Sequence, residues 1–252
     1  MIGFIVAMRR EAAPLLRRAG AATAGTIAGL ESRCFTLHGT PCILVYCGIG
    51  MERARSAAAA FIRSTSPSLL VSFGIAGCVE DDLEIGDVVA ASHAALLGRA
   101  GSSLALAAVA DPELQAMRRS LSEAHASVYR GSVLTTRGET VGPAKAKGLL
   151  HPVLDMETYA IAEEAAGRGI PLVSLRGVSD SPREPLPFDL SAMTDAGGSF
   201  RAGRLLGQAI RRPGMLRRLS RLRAAVHRAE ENVTAAVMEL VAARSAQAAT
   251  RT

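Results

Sequence analysis

The chain contains no tryptophan, and aromatic residues make up only 4% of it. A buried interior must therefore be assembled mainly from Ala, Leu, Val and Ile, within a hydrophobic content of 49%. Cysteine is equally sparse. Cys34, Cys42, Cys47 and Cys78 form no C-x-x-C pair, and their spacing suits neither a zinc site nor a disulfide framework. Buried free thiols in a reducing compartment are the expectation. His38, His93, His125, His151 and His227 stand singly, so the sequence suggests no metal and no cofactor. No apolar run reaches the length of a membrane-spanning helix. The apolar stretch from Met1 to Met8 has no basic residues before it and is too short for a secretory leader, so a cytoplasmic location is expected.

What is present is a chain of 252 residues with a mean hydropathy of +0.22, enough for one large α/β domain. The formal net charge is +6. Such a balance points to a nucleic acid, an anionic lipid surface or a phosphate-bearing substrate, or simply to a solvated basic surface. The charge is concentrated late in the chain. Between Phe200 and Arg228 lie nine arginines and no acidic residue. Helical spacing puts Met215, Leu219, Leu222 and Val226 on one face, with arginines over much of the rest, which describes a basic amphipathic helix. Pro213-Gly214 separates it from an expected helix over 199–212.

Apolar runs predict strands over 2–8, 33–37, 41–47, 69–73, 86–91, 132–136 and 171–178. Helical spacing predicts helices over 9–18, 53–63, 112–125 and 157–167, the third with Asp111 as N-cap and Pro112 in its first turn. Gly48-Ile49-Gly50 and Gly74-Ile75-Ala76-Gly77 read as turns after strands. The alternation predicts a single-domain α/β fold, a three-layer αβα sandwich around a central mixed sheet. Residues 1–198 would form the catalytic domain, and 199–252 a helical, arginine-rich extension packed on or next to it.

Three acidic residues, Glu11, Glu157 and Asp180, fall at element ends, where open α/β sheets bind ligands. Each alone has an ordinary explanation. A Glu in the first turn of a helix complements the macrodipole, and an Asp after a strand is a common turn residue. The two glycine turns could present backbone N–H groups to a ligand, or could be no more than tight connections.

Taken in order, Ile2 to Glu11, Cys47-Gly48-Ile49-Gly50, Ser72 to Gly77, Ile85 to Val89, Asp155-Met156-Glu157 and Val178-Ser179-Asp180 carry a resemblance. The chain resembles the nucleoside phosphorylase superfamily, and within it the methylthioadenosine/S-adenosylhomocysteine nucleosidases. That resemblance implies roles. Glu11 would orient or deprotonate the attacking water. Met156 and Glu157 would hold the ribose. Asp180, supported by Ser179, would protonate a purine at N7. Gly74, Ala76 and Gly77 would line the substrate site. The chemistry is coherent, because cleaving an N-glycosidic bond builds positive charge on the sugar and negative charge on the base. One carboxyl must then be protonated while another is ionised.

Gly50-Met51-Glu52-Arg53-Ala54 and the basic tail are most similar to the hopanoid-associated branch, which implies an adenosyl-hopane lipid as substrate. The expected activity is therefore cleavage of an adenine nucleoside in hopanoid biosynthesis, with the basic helix in peripheral contact with an anionic membrane. Alternatives are a methylthioadenosine/S-adenosylhomocysteine nucleosidase, a phosphate-dependent phosphorylase, or a purine- or nucleic-acid-binding module without activity. The three acids together weigh against the last. Val71-Ser72-Phe73 lacks the arginine that phosphorylases carry there, which favours water, whereas Gly50, Arg53 and Arg55 could bind an anion at a helix start. Ile75 replaces a common Ser, and 135–140 lacks a base-stacking aromatic. A homodimer is implied.

Overall fold

The computed structural model describes residues 1–99, 101–139, 141–183 and 213–249, with side chains of the last stretch from Ser220 onward. Strand β1 (Ile2–Val6) is buried throughout and leads directly into helix α1 (Arg9–Ala19). A meander of β2 (Thr23–Ile27), β3 (Leu30–Leu37) and β4 (Thr40–Tyr46) follows, then α2 (Met51–Thr65) and the ten-residue strand β5 (Leu69–Cys78). The remaining described elements are β6 (Val88–Leu96), β7 (Ser103–Ala105), α3 (Asp111–Leu121), β8 (Val128–Thr135), β9 (Pro152–Asp155), α4 (Thr158–Ala166), β10 (Leu172–Asp180) and the long helix α5 (Pro213–Ala249).

The sheet is mixed. β1 lies parallel to both β4 and β5, and β5 lies parallel to β10. β10 pairs antiparallel with β6, β6 parallel with β8, and β8 parallel with β9. β9 then returns to β5, antiparallel, through Gly77–Leu154 and Cys78–Val153. Half of the sheet thus closes into a ring of β5, β10, β6, β8 and β9, while β1, β4, β3 and β2 continue as an open wing. Closure removes an edge that would otherwise offer unpaired backbone groups.

Helices cover both faces. On one, Ala12 and Leu15 of α1, Leu114 and Met117 of α3, and Val233, Val237 and Leu240 of α5 share a core with Phe4, Phe73 and Leu175. On the other, Ala57 and Phe61 of α2 and Tyr159, Ile161 and Ala165 of α4 pack with Ile5, Val45 and Leu70. This is the expected three-layer α/β arrangement. Each fully buried large apolar side chain of α5 is worth about 1.5–3 kcal/mol, so residues 233–241 belong to the main core. The carbonyl of Ala229 sits where a Cβ on Gly177 would be, which brings the α5 backbone directly against β10.

Several expectations need correction. Gly74-Ile75-Ala76-Gly77 is no turn, since β5 runs straight through it. β2, β7 and β9 are additional strands: β2 is an exposed edge with no apolar face, and the other two have only three and four residues. Ala110, not Asp111, precedes α3, and the Asp111 carboxylate pairs with Arg130. Cys34 is exposed on the β2–β3 hairpin, while Cys42, Cys47 and Cys78 are buried free thiols. The helix expected over 199–212 lies outside the described residues. Of the anticipated apolar stripe, Leu222 is half-buried and Val226 is buried against the domain; the side chains of Met215 and Leu219 are not among those described. Among the described residues no helix is long and apolar enough to cross a membrane.

Candidate active site

The C-terminal ends of the parallel strands β1, β4, β5 and β10 converge on one pocket, lined by Ala7, Glu11, Cys47, Gly74, Glu157 and Arg176 among others. Glu11 comes from the first turn of α1. Its Oε2 accepts from the Met8 N–H at 3.0 Å, and its Oε1 accepts from the Ile75 N–H at 3.1 Å. The ordinary reading of Glu11 as a helix-start residue is therefore true of one oxygen, while the other is anchored to β5. Burial pushes the Glu11 carboxyl above its ordinary range, opposed by those N–H groups and by the Arg176 guanidinium.

Glu157 immediately precedes α4. Its Oε1 accepts from the Gly50 N–H at 2.7 Å, and Oε2 lies 3.3 Å from the Met156 nitrogen. Gly50 has φ of 103°, a conformation that L side chains rarely adopt, and this aims its N–H at the carboxylate. Burial raises the Glu157 carboxyl, and the neighbouring Asp155 charge adds to the shift. Cys47 lies in the same pocket. Burial, then Glu157 and Glu11, hold its thiol well above the usual range, so it is a neutral lining group.

Asp180 closes β10. Its Oδ1 accepts from the Ser179 hydroxyl at 2.7 Å, and its Oδ2 lies 2.6 Å from where a Cβ on Gly77 would sit. Ser179 Oγ is also 3.3 Å from the Ala76 carbonyl, a weaker alternative acceptor. Burial pushes Asp180 up, and the Ser179 hydroxyl is the one group that draws it back. Glu11 and Asp180 thus differ in kind. The first is supported as an anion by two backbone N–H groups and a guanidinium, the second by a single hydroxyl.

Beneath these acids lies a network that the sequence reading left without a role. Arg176, buried in β10, pairs with Asp155 at 2.9 Å and donates to Ser72 Oγ at 2.8 Å and Thr158 Oγ1 at 2.7 Å. Asp155 in turn accepts from Thr135 at 2.7 Å and from the hydroxyl of Thr158. An arginine inside an otherwise apolar strand was the available signal, since arginine is almost never fully buried unpaired. After β4, the Arg53 stem lies over Gly48, its Cδ 3.2 Å from the Cβ position there. Arg55 pairs instead with Glu163 on α4 at 2.6 Å.

Fold and site together define a class. The Phosphorylase superfamily matches residues 1–210, and the chain belongs to that family. Within it, the chain is 27% identical over 208 residues to the 5′-methylthioadenosine/S-adenosylhomocysteine nucleosidase of Shewanella baltica, covering 76% of this chain and 88% of that one. It is 30% identical over 207 residues to the same enzyme of Shewanella halifaxensis, covering 75% and 89%. Among solved structures, the nucleosidase of Neisseria meningitidis in complex with methylthio-immucillin-A superposes with a TM-score of 0.69 at 20% identity, covering 96% of this chain and 98% of that one. The native futalosine hydrolase of Helicobacter pylori superposes with a TM-score of 0.67 at 15% identity, covering 95% and 96%.

Proposed function

We propose that this protein hydrolyses the N-glycosidic bond of an adenine nucleoside, with Asp180 as the acid that protonates the purine and Glu11 as the group that orients water. The observation that carries the reading is the contrast between the two carboxyls. Burial raises both, but at Glu11 two backbone N–H groups and the Arg176 guanidinium oppose the shift, whereas at Asp180 only the Ser179 hydroxyl does. Carboxyls in such different surroundings suit the pairing of one base with one acid that the reaction needs. Met156 and Glu157 hold the ribose, and the Glu157 carboxylate stabilises the positive sugar of the transition state. Gly74, Ala76 and Gly77 line the substrate site along β5, Gly74 and Gly77 also leaving room for the Glu11 and Asp180 carboxyls.

Water is favoured over phosphate on electrostatic grounds. The pocket contains Glu11 and Glu157, and among the described residues the one arginine that lines it, Arg176, is already paired with Asp155. The Gly50 N–H is committed to Glu157 and Arg55 to Glu163. An anionic phosphate nucleophile would lie beside two carboxyl groups with no unpaired cation among the described lining residues to hold it.

For the group at the sugar 5′ position, we favour a hopane-type lipid. The Gly50–Ala54 sequence and the arginines of α5 support it, as does the departure of Ile75 from the pattern of the thioether nucleosidases. The curated relatives, named as methylthioadenosine/S-adenosylhomocysteine nucleosidases, favour the second reading, a small thioether nucleoside. The enzyme would work in the cytoplasm as a homodimer, with the exposed Arg221 and Arg223 against an anionic membrane.

Chromatography of free adenine tests the core of this reading. Methylthioadenosine, S-adenosylhomocysteine, adenosine and a detergent-dispersed adenosyl-hopane are supplied with and without phosphate. Adenine released equally in both is the expected result. Release that requires phosphate overturns the hydrolytic assignment, and release from no substrate overturns the enzyme assignment. Turnover of the thioether nucleosides but not of the hopane would select the second reading.

A further inference from the structure

A cavity of about 390 Å³ lies beside the chain just past Asp180, and it shares no described lining residue with the catalytic pocket. Its walls are the segment after β5, the chain just past Asp180, and α5. Three arginines face it, Arg183, Arg221 and Arg228, against the carboxylates of Asp81 and Glu84. Arg183 is engaged by Asp81 at 3.3 Å. Neither Arg221 nor Arg228 forms an ion pair with a described residue. They stand seven residues apart on one helix, two turns along the same face. Ala224 and Ala225 between them leave the space open.

Arg228 is also held in place. Its Cδ lies 2.7 Å from the point where a Cβ on Gly86 would sit, so its stem fills the room that this glycine leaves. Asn232, one turn further on, donates to the Gly86 carbonyl at 2.7 Å and fixes the helix to that loop. One guanidinium is thus pre-positioned and a second stands two turns away. A cavity in the size range of small-molecule sites, with two guanidinium groups that make no ion pair among the described residues, fits a multidentate oxyanion.

We propose that this cavity binds a phosphate-type oxyanion, a diphosphate or phosphate ester, through Arg221 and Arg228. The site is separate from the nucleophile's position, so it stands or falls independently of how the glycosidic bond is cut. Ser181 lines the cavity and follows Asp180 directly, so occupancy would brace the strand end that carries the acid.

The test is a thermal-unfolding titration of the full chain with sodium pyrophosphate against sodium chloride of equal ionic strength. The expected result is a rise of about 3 °C at ~10 mM pyrophosphate beyond the chloride control. In R221Q/R228Q the rise should disappear. R221Q alone, an exposed single substitution, serves if the double variant unfolds, and should at least halve the shift. A second arm uses phosphatidylglycerol and phosphatidylcholine vesicles in flotation. Arginine-dependent flotation with phosphatidylglycerol alone, with no pyrophosphate shift, would assign the oxyanion to a lipid headgroup; a pyrophosphate shift without flotation would assign it to a soluble ester. No shift beyond chloride together with no flotation, or responses unchanged in the variants, overturns the proposal.

Discussion

The Oε1 atom of Glu11 lies 2.5 Å from the point where a Cβ on Gly74 would be, so the carboxylate occupies the space of a missing side chain. Gly74 is glycine because of Glu11. Replacing it with alanine forces the carboxylate off the Ile75 N–H without touching any ionisable group. We expect G74A to lower kcat/KM by about 100-fold through misplacement alone, with a stability cost of about 1–3 kcal/mol from overpacking. Steady-state kinetics and thermal unfolding check both; unchanged kinetics would remove Glu11 from the chemistry.

D180N should lose base release by about 10²–10⁴-fold, the usual contribution of a general acid. It should also stabilise the protein at pH 8. The folded carboxyl has a raised pKa, so the folded state holds a proton that the unfolded state has released, and stability falls as pH rises. Asparagine removes that penalty. A rise of about 1–3 °C in Tm at pH 8, shrinking towards pH 4, is the expected signature.

The pH profile of kcat/KM should fall on its alkaline side as Asp180 loses its proton. Ser179 donates to the ionised form and holds the pKa down, so S179A should move that limb to higher pH. An unmoved limb, with Asp180 otherwise intact, would give the alkaline pKa to another group.

Arg176 and Asp155 form a buried pair whose members cannot be removed singly at low cost. R176M should destabilise by about 3–5 kcal/mol, because Asp155 is left buried and unpaired. Adding D155N should recover part of that loss rather than add to it. Denaturant unfolding of the two singles and the double measures the coupling.

The residues that carry chemistry were legible before their surroundings were. Glu11, Glu157 and Asp180 stood out because charged residues closed apolar segments, and the helices and central strands followed from periodicity. The reading failed where local pattern carries little information. Gly74-Ile75-Ala76-Gly77 looked like a turn because glycine usually marks one; here Gly74 and Gly77 make room for Glu11 and Asp180 across a continuing strand. β9 has only four residues, although it is the strand that closes the ring against β5. The late helix read as a basic appendage because arginines dominate its first half, while its second half, from Ala229 to Val241, supplies core.

That last helix sets an order on biosynthesis. β10, the strand that ends in Asp180, has the backbone of Ala229 pressed against Gly177, and the core behind β1 and β5 is filled from α5. A nascent chain stalled at Asp180 already contains all three acids. It lacks the helix that completes the layer begun by α1 and α3, so part of that face of the sheet stays uncovered. That core is complete only after some sixty more residues have emerged, a wait in which exposed apolar surface invites aggregation.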